Sequence, residues 1–274
     1  GWFMHYLRLS VRLPLFVFYL FWCALTAAWL RLADRWHAQP IDRAPYTHRY
    51  MVTLCRLLGF RVRVHGKPAD TAVLFVSNHI SWSDIPVLAS CTPLRFLSKQ
   101  EVRRWPMVGW IAEQINTLFI KRGAGQSAQV REQIGRALAA GDRVLIFPEG
   151  TTGDGTRILP FHGRLIAAAA DAQVPVQAIT LGYVRQGCAD PIAPFVGEDR
   201  FEQHLIRLLK HPAIEVDVIF HPPRDVHIDS VEALTQALQA ETAQGLARIL
   251  GEADAGQPAP VAGETPVEPA PESA

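Results

Sequence analysis

A histidine and an aspartate, five positions apart, are the side chains of this sequence best suited to acid–base chemistry. They are His79 and Asp84, in the segment 78–84, which reads NHISWSD. Positions five apart on one helix point about 140° away from each other, so the pair meets only if a turn precedes a helix that begins at Asp84. Asp84 would then fix the tautomer of His79, whose other ring nitrogen would accept a proton from a hydroxyl. The alternative is a plain helix cap beside an ordinary loop histidine.

Two adjacent basic residues, Lys121 and Arg122, follow a short apolar run at 117–120. A guanidinium donates two parallel hydrogen bonds to a phosphate or a carboxylate, and the neighbouring Gly123 leaves room for an anion. The pair is therefore a candidate anion-binding site. A basic pair after a strand is also typical of an ordinary solvated surface.

A carboxylate and a glycine-rich loop follow a second apolar run. Glu149, Gly150 and Thr151 come after the run 143–147 and Pro148. A carboxylate held between a proline and a glycine at the end of a buried strand is placed well enough to bind a substrate hydroxyl. The same residues also suit a tight turn that binds nothing.

Strand-like and helix-like patterns alternate along the chain between these groups. The apolar runs typical of strands are 60–65, 72–76, 117–120, 143–147, 176–181 and 214–220. Helical patterns separate them, which predicts an α/β domain with a largely parallel central sheet flanked by helices. Parallel strands end at one edge of the sheet, where ligands bind. We therefore expect His79, the Lys121–Arg122 pair and Glu149 to lie along the same edge.

The segment 13–30 carries no charged side chain. A helix of this length reaches about 27 Å, against about 30 Å for the hydrocarbon core of a bilayer. More arginines follow the segment than precede it, which places the main body on the cytoplasmic face of the inner (plasma) membrane. The segment predicts a membrane span or an in-plane anchor. A cleaved secretory signal and a buried core helix are the alternatives.

Charge is unevenly distributed along the chain, although 27 Lys+Arg nearly balance 26 Asp+Glu. The tail 251–274 holds five acidic residues, five prolines and no basic residue, which predicts a disordered tail. The sequence thus divides into a membrane-associated helical segment (1–58), the α/β domain (59–250) and the tail. Basic residues are dispersed over the first two segments, so we expect no nucleic-acid partner. No ligand pair has zinc spacing and no nucleotide-binding glycine motif is present, so we expect no metal and no cofactor.

Taken together, these residues resemble the lysophospholipid acyltransferase family, the 1-acylglycerol-3-phosphate acyltransferases, which has four ordered motifs. Residues 78–84 match its NHxxxxD motif, and 119–122 (FIKR) match the second motif. Residues 147–151 (FPEGT) match the third motif, and 174–176 (VPV) match the start of the fourth. The resemblance covers 73–181, with the motifs in the family's order.

The resemblance implies transfer of a fatty acyl group to the free hydroxyl of 1-acyl-sn-glycerol-3-phosphate, giving phosphatidic acid in a membrane bilayer. The donor would be acyl-CoA or acyl-carrier protein, with no protein nucleophile. His79 would be the general base and Asp84 would orient it. The resemblance also implies acceptor-binding residues at Lys121, Arg122, Glu149, Gly150 and Thr151.

Three departures from the family pattern bear on the acceptor. Asn116 stands where the second motif often begins with glycine, and Gln177-Ala178 replaces a more apolar fourth motif. The loop 152–156 is acidic, where many phosphatidate-forming relatives carry arginine. A different lysolipid acceptor, such as a lyso-ornithine lipid, is therefore an alternative. A membrane-bound thioester hydrolase that uses the same His–Asp pair is another.

Overall fold

The structure is a computed structural model that describes residues 1–121, 126–227 and 230–251. Arg122 lies outside these residues, as does all of the predicted disordered tail beyond Gly251. A helix ends at Leu58, and the division into an N-terminal membrane-associated segment and an α/β domain stays a prediction.

Eight strands of the described residues form one sheet. In chain order they are β1 (Phe60–Gly66), β2 (Val73–Ser77), β3 (Arg95–Lys99), β4 (Leu118–Ile120), β5 (Arg143–Ile146), β6 (Val176–Arg185), β7 (Cys188–Ala189) and β8 (Ile214–Phe220). The strand order is β1-β8-β6-β2-β5-β3-β4, and β7 pairs with β6. Among the described strands, β6 is antiparallel to β7 and β8, and the other pairs are parallel. The predicted largely parallel sheet is thus confirmed.

Helices cover both faces of the sheet. They are α1 (Trp2–Ala33), α2 (Ala44–Leu58), α3 (Asp84–Cys91), α4 (Val108–Gln114), α5 (Ser127–Ala139), α6 (Ala167–Ala172), α7 (Phe201–Lys210) and α8 (Val231–Leu250). Buried residues of α2, α3 and α7 pack on one face, and those of α5, α6 and α8 pack on the other. Strand β2 is continuously apolar because both of its sides are buried. Val73 and Phe75 face the first layer of helices, whereas Leu74 and Val76 face the second.

Strand β3 was not predicted. Its sequence RFLSK is mostly polar, and its two apolar side chains, Phe96 and Leu97, pack on opposite sides of the sheet. It pairs with β5 over only Arg95 and Phe96 and then with the short edge strand β4. A strand near the edge of a sheet buries little, so it lacks the apolar run from which the other strands were predicted.

Helix α1 is longer than the predicted apolar segment and lies along the body. Its 32 residues correspond to about 48 Å at 1.5 Å per residue. Trp2–Trp36 is the one described segment long and apolar enough to cross a membrane, with a mean hydropathy of 1.9. Most of its large apolar side chains are exposed on the side away from the body.

Hydrogen bonds attach both ends of α1 to the body. The Arg8 guanidinium donates to the carbonyl of Lys210 (2.8 Å), and Arg12 donates to those of His211 (2.6 Å) and Pro212 (3.1 Å). These carbonyls lie at and just beyond the end of α7, where helical carbonyls lack internal partners. At the other end, Asp34 forms a bidentate ion pair with the buried guanidinium of Arg43. The arginines that precede the apolar segment therefore dock α1 onto the domain.

Candidate active site

The structure brings His79 and Asp84 together. A turn follows β2, α3 begins at Asp84, and the distance from His79 Nδ1 to Asp84 Oδ2 is 2.7 Å. Asp84 is fully buried, whereas the His79 side chain is 20% exposed. The geometry expected from the spacing, a turn followed by a helix that begins at Asp84, is thus confirmed, and the imidazole is accessible from outside.

The loop folds around the Asp84 carboxylate. Oδ2 accepts hydrogen bonds from the backbone N–H groups of Ile80 (2.6 Å) and Ser81 (3.0 Å). Oδ1 accepts one from the Tyr183 hydroxyl at 2.7 Å. A buried carboxylate needs such donors to remain charged. Because a carboxylate only accepts, Nδ1 of His79 donates in this hydrogen bond, and in the neutral imidazole the lone pair is on Nε2.

One further contact holds the His79 ring, and another holds the backbone next to it. The ring stacks on Phe147 at the end of β5, with centroids 3.8 Å apart and planes 16° from parallel. The neighbouring Asn78 amide exchanges two hydrogen bonds with the backbone of Leu181 on β6, at 2.9 and 2.8 Å. In the described part of the chain, no protein group bonds to Nε2. The ring is therefore fixed with its basic nitrogen available to a substrate.

Glu149 lies beside His79 but is engaged with the backbone. One carboxylate oxygen accepts from the N–H of His79 (2.6 Å), and the other accepts from the N–H of Leu159 (2.7 Å). Burial raises the pKa of Glu149 to about 7, against the opposing effect of these two hydrogen bonds. Gly150 follows with a φ of +74°, a left-handed conformation that favours glycine, and Thr151 is exposed. The acceptor-binding roles of these three residues stay predictions.

Lys121 lies on the same edge of the sheet as His79 but not next to it. It follows β4, and three strand spacings separate β4 from β2, about 14 Å at 4.8 Å per spacing. Its side chain is exposed. The role of Lys121 stays a prediction, and Arg122 lies outside the described residues.

An apolar cavity of about 360 Å³ lies next to the segment 78–84, and its presence was not predicted from the sequence. Residues of α1, α2, α3 and α4 line it, among them Leu20, Met51, Ile85, Val108 and Ile111. Its volume is within the range of small-ligand sites. Its lining comes from several segments between Tyr19 and Phe201, so no single stretch of sequence marks it.

Trp82 connects the cavity to the turn that holds His79. It belongs to the NHISWSD segment and lines the cavity. Its indole N–H donates to Nδ1 of the buried His204 at 2.8 Å, and its ring packs edge-on against Phe201. An apolar chain in the cavity would thus contact the segment 78–84 at Trp82. Among the residues that the structure describes, no cluster of His, Cys, Asp or Glu suits a metal ion.

Comparison with known proteins shows which family the chain is similar to. The family model "Acyltransferase" matches residues 61–182. A lyso-ornithine lipid O-acyltransferase of Pseudomonas aeruginosa is 42% identical over 217 residues, which cover 78% of this chain and 84% of that protein. A 1-acyl-sn-glycerol-3-phosphate acyltransferase of Neisseria gonorrhoeae is 34% identical over 122 residues, which cover 43% of this chain and 48% of that protein.

A solved structure shares the fold. The 1-acyl-sn-glycerophosphate (LPA) acyltransferase PlsC from Thermotoga maritima matches with a TM-score of 0.64 at 20% identity, over 88% of this chain and 97% of that chain. The family match, the extent of the similarity to the Pseudomonas protein and the His79–Asp84 geometry agree. The chain belongs to the lysophospholipid acyltransferase family and is an O-acyltransferase of lysolipids.

Proposed function

We propose that this protein transfers a fatty acyl group from a thioester to the hydroxyl of a lyso-ornithine lipid. The observation that carries this acceptor is the extent of the similarity. The lyso-ornithine lipid enzyme matches 78% of this chain at 42% identity, and the 1-acylglycerol-3-phosphate enzyme matches 43% of it at 34% identity. The proposal thus replaces phosphatidic acid, the product expected first, with a doubly acylated ornithine lipid.

The loop after Thr151 supports a headgroup with a positive charge. The N–H of Gly153 donates to the carbonyl of His79 at 2.8 Å, so Asp154 lies one residue from a direct contact with the catalytic loop. Hydrogen bonds from Thr156 lower the pKa of Asp154, which keeps it ionised. A lyso-ornithine lipid carries an ammonium and a carboxylate and no phosphate. An acidic loop suits that ammonium better than a phosphate monoester.

The reaction follows from the protonation states in the site. Nε2 of His79 takes the proton of the acceptor hydroxyl, whose oxygen attacks the thioester carbonyl carbon. The tetrahedral intermediate collapses, the carbon–sulfur bond breaks, and the leaving thiolate takes the proton from the imidazolium. Asp84 stabilises the imidazolium between these steps. General base catalysis of this kind contributes about 10²–10⁴-fold.

The remaining parts of the site bind the acyl chain and the lysolipid acceptor. An acyl chain occupies the apolar cavity next to Trp82. Lys121 and Arg122 bind the carboxylate of the acceptor, and Glu149, Gly150 and Thr151 shape the loop that holds it. Acyl-CoA or acyl-carrier protein brings the thioester.

Helix α1 attaches the enzyme to a membrane without crossing it. Arg12 and Asp34 fasten its two ends to one body, which favours a helix that lies along the domain over one that spans a bilayer. Its exposed apolar side chains then lie in the plane of the inner membrane, on the cytoplasmic face. The lysolipid acceptor and the product both reside there.

The test is a comparison of acceptors with the purified full chain in mixed micelles. Lyso-ornithine lipid and 1-acylglycerol-3-phosphate are each offered with acyl-CoA and with acyl-carrier protein, and products are measured by mass spectrometry. We expect a higher kcat/KM for lyso-ornithine lipid. A higher value for 1-acylglycerol-3-phosphate would overturn the proposed acceptor, and thiol release without any acceptor would favour a hydrolase.

His79→Ala tests the catalytic assignment. We expect acyl transfer to fall by about 10²–10⁴-fold because the general base is lost. His227→Ala is the matched control, since that side chain is 58% exposed and lies away from the site. Unchanged turnover in His79→Ala, with folding like that of the control, would exclude His79 as the base.

A further inference from the structure

Tyr183 contacts the catalytic pair although it lies beyond the matched motifs. It belongs to β6, is fully enclosed, and its hydroxyl oxygen is 2.7 Å from Asp84 Oδ1 and 2.8 Å from Ser83 Oγ. Its ring packs against Phe60, with centroids 6.3 Å apart. Ser83 is also fully buried. Water therefore does not compete for any of these hydrogen bonds.

The directions of these hydrogen bonds follow from counting protons. The Asp84 carboxylate only accepts, so Tyr183 donates its single proton to Oδ1 and must accept from the Ser83 hydroxyl. The His79 Nδ1–H donates to Oδ2 from the other side. The result is a chain of donors from Ser83 through Tyr183 to Asp84, in which each hydrogen bond strengthens the next.

We propose that Tyr183 is a positioning residue that sets how strongly Asp84 holds the protonated form of His79. The hydroxyl holds Oδ1, which orients the carboxylate so that Oδ2 faces the imidazole. The hydrogen bond from Tyr183 also delocalises part of the negative charge of the carboxylate, so Asp84 attracts the His79 imidazolium less strongly. This inference rests on His79 being the general base, but it does not depend on which lysolipid is the acceptor.

Other titratable groups face this network. Glu149 contacts the backbone of His79, and burial raises its pKa to about 7. The Cys55 thiol of α2 lies near Tyr183, and burial raises its pKa to about 12, so it stays neutral. Glu149 is the same in the wild type and in a Tyr183 variant. A difference between their pH profiles therefore reports the hydroxyl and not Glu149.

The experiment is the pH dependence of acyl transfer by Tyr183→Phe, which removes one oxygen and keeps the ring contact with Phe60. The assay uses whichever lysolipid the wild type converts fastest. The wild-type preference then tests the proposed acceptor, and the difference between the variant and the wild type tests Tyr183. Without the hydroxyl, Asp84 stabilises the imidazolium more, so a higher pH is needed to free the base. We expect the acidic limb of kcat/KM to move up by about one pH unit. We also expect kcat on the acidic side of this limb to fall by up to about tenfold, with KM within twofold.

Thr180→Val is the matched control for loss of a buried hydroxyl on the same strand. Thr180 is fully buried and bonds to His221 and to the carbonyl of Thr242, away from His79. We expect it to lower the thermal unfolding temperature without moving the pH profile.

Ser83→Ala removes the donor upstream of Tyr183 and should shift the acidic limb in the same direction by a smaller amount. It also serves as the test if Tyr183→Phe does not fold. An acidic limb that stays in place in these variants would overturn the proposal and leave Tyr183 with a structural role only.

Discussion

Asp84→Asn removes one negative charge from the centre of the site while keeping its hydrogen bonds. Oδ2 accepts from two backbone N–H groups as well as from His79 Nδ1, so the amide oxygen must occupy that position. The amide NH₂ then faces Tyr183 Oη, which accepts from it and donates to Ser83. The tautomer of His79 is preserved. The variant therefore measures the charge of Asp84 alone.

The size of the effect follows from the contact between the two rigidly held groups. A carboxylate and an imidazolium whose charge centres are about 4 Å apart attract each other by about 4 kcal/mol at an effective dielectric constant near 20. At about 1.4 kcal/mol per factor of ten, kcat should fall by about 10³-fold. KM should change little, because Asp84 is fully buried and touches no substrate.

The assay is steady-state thiol release together with mass-spectrometric measurement of the acylated product, and thermal unfolding is recorded alongside. Asp190→Asn is the matched control, since Asp190 is another fully buried carboxylate that pairs with Arg185. We expect that variant to lose stability but to keep kcat. If Asp84→Asn kept more than about a third of the wild-type kcat, the charge of Asp84 would not stabilise the transition state, and the reasoning would fail.

Two further predictions concern stability. Burial raises the pKa of Glu149 from 4.5 to about 7, so the folded protein binds a proton that the unfolded chain releases. Urea denaturation should show wild-type stability falling relative to Glu149→Gln between about pH 4.5 and 7, by on the order of 3 kcal/mol; a constant difference would contradict this. A Cβ at Gly109 would lie 2.5 Å from the carbonyl oxygen of Val102, so Gly109→Ala should lower the unfolding temperature. Gly135→Ala, whose Cβ meets nothing nearer than 4.0 Å, should gain up to about 1 kcal/mol, and equal shifts would refute the packing argument.

The parts of the site that follow directly from a strand were predictable from the sequence. His79 and Glu149 each come just after a continuous apolar run, and parallel neighbours bring both to one edge. The spacing from His79 to Asp84 excludes a single helix and so requires the turn that the structure contains. Sequence separation within one loop was enough for that geometry.

Other features of the site depend on which strands and helices become neighbours in the fold, and that arrangement could not be predicted from local sequence patterns. Strand β3 lacks an apolar run, and its insertion between β5 and β4 adds one strand spacing to the distance of Lys121 from His79. Tyr183 lies in a ten-residue strand that is buried throughout except at its last residue. In such a strand a tyrosine is expected to be an ordinary core residue. Its contact with Asp84 spans 99 positions.

Helix α1 is at once the apolar exterior of the protein and one wall of the apolar cavity. Deleting it to obtain a water-soluble fragment would open the cavity along Leu20 and Ala27. It would also leave the carbonyls just beyond the end of α7 without the guanidinium of Arg12. Such a fragment would lack one wall of the apolar cavity. Activity lost on truncation would then say nothing about whether catalysis itself needs a bilayer.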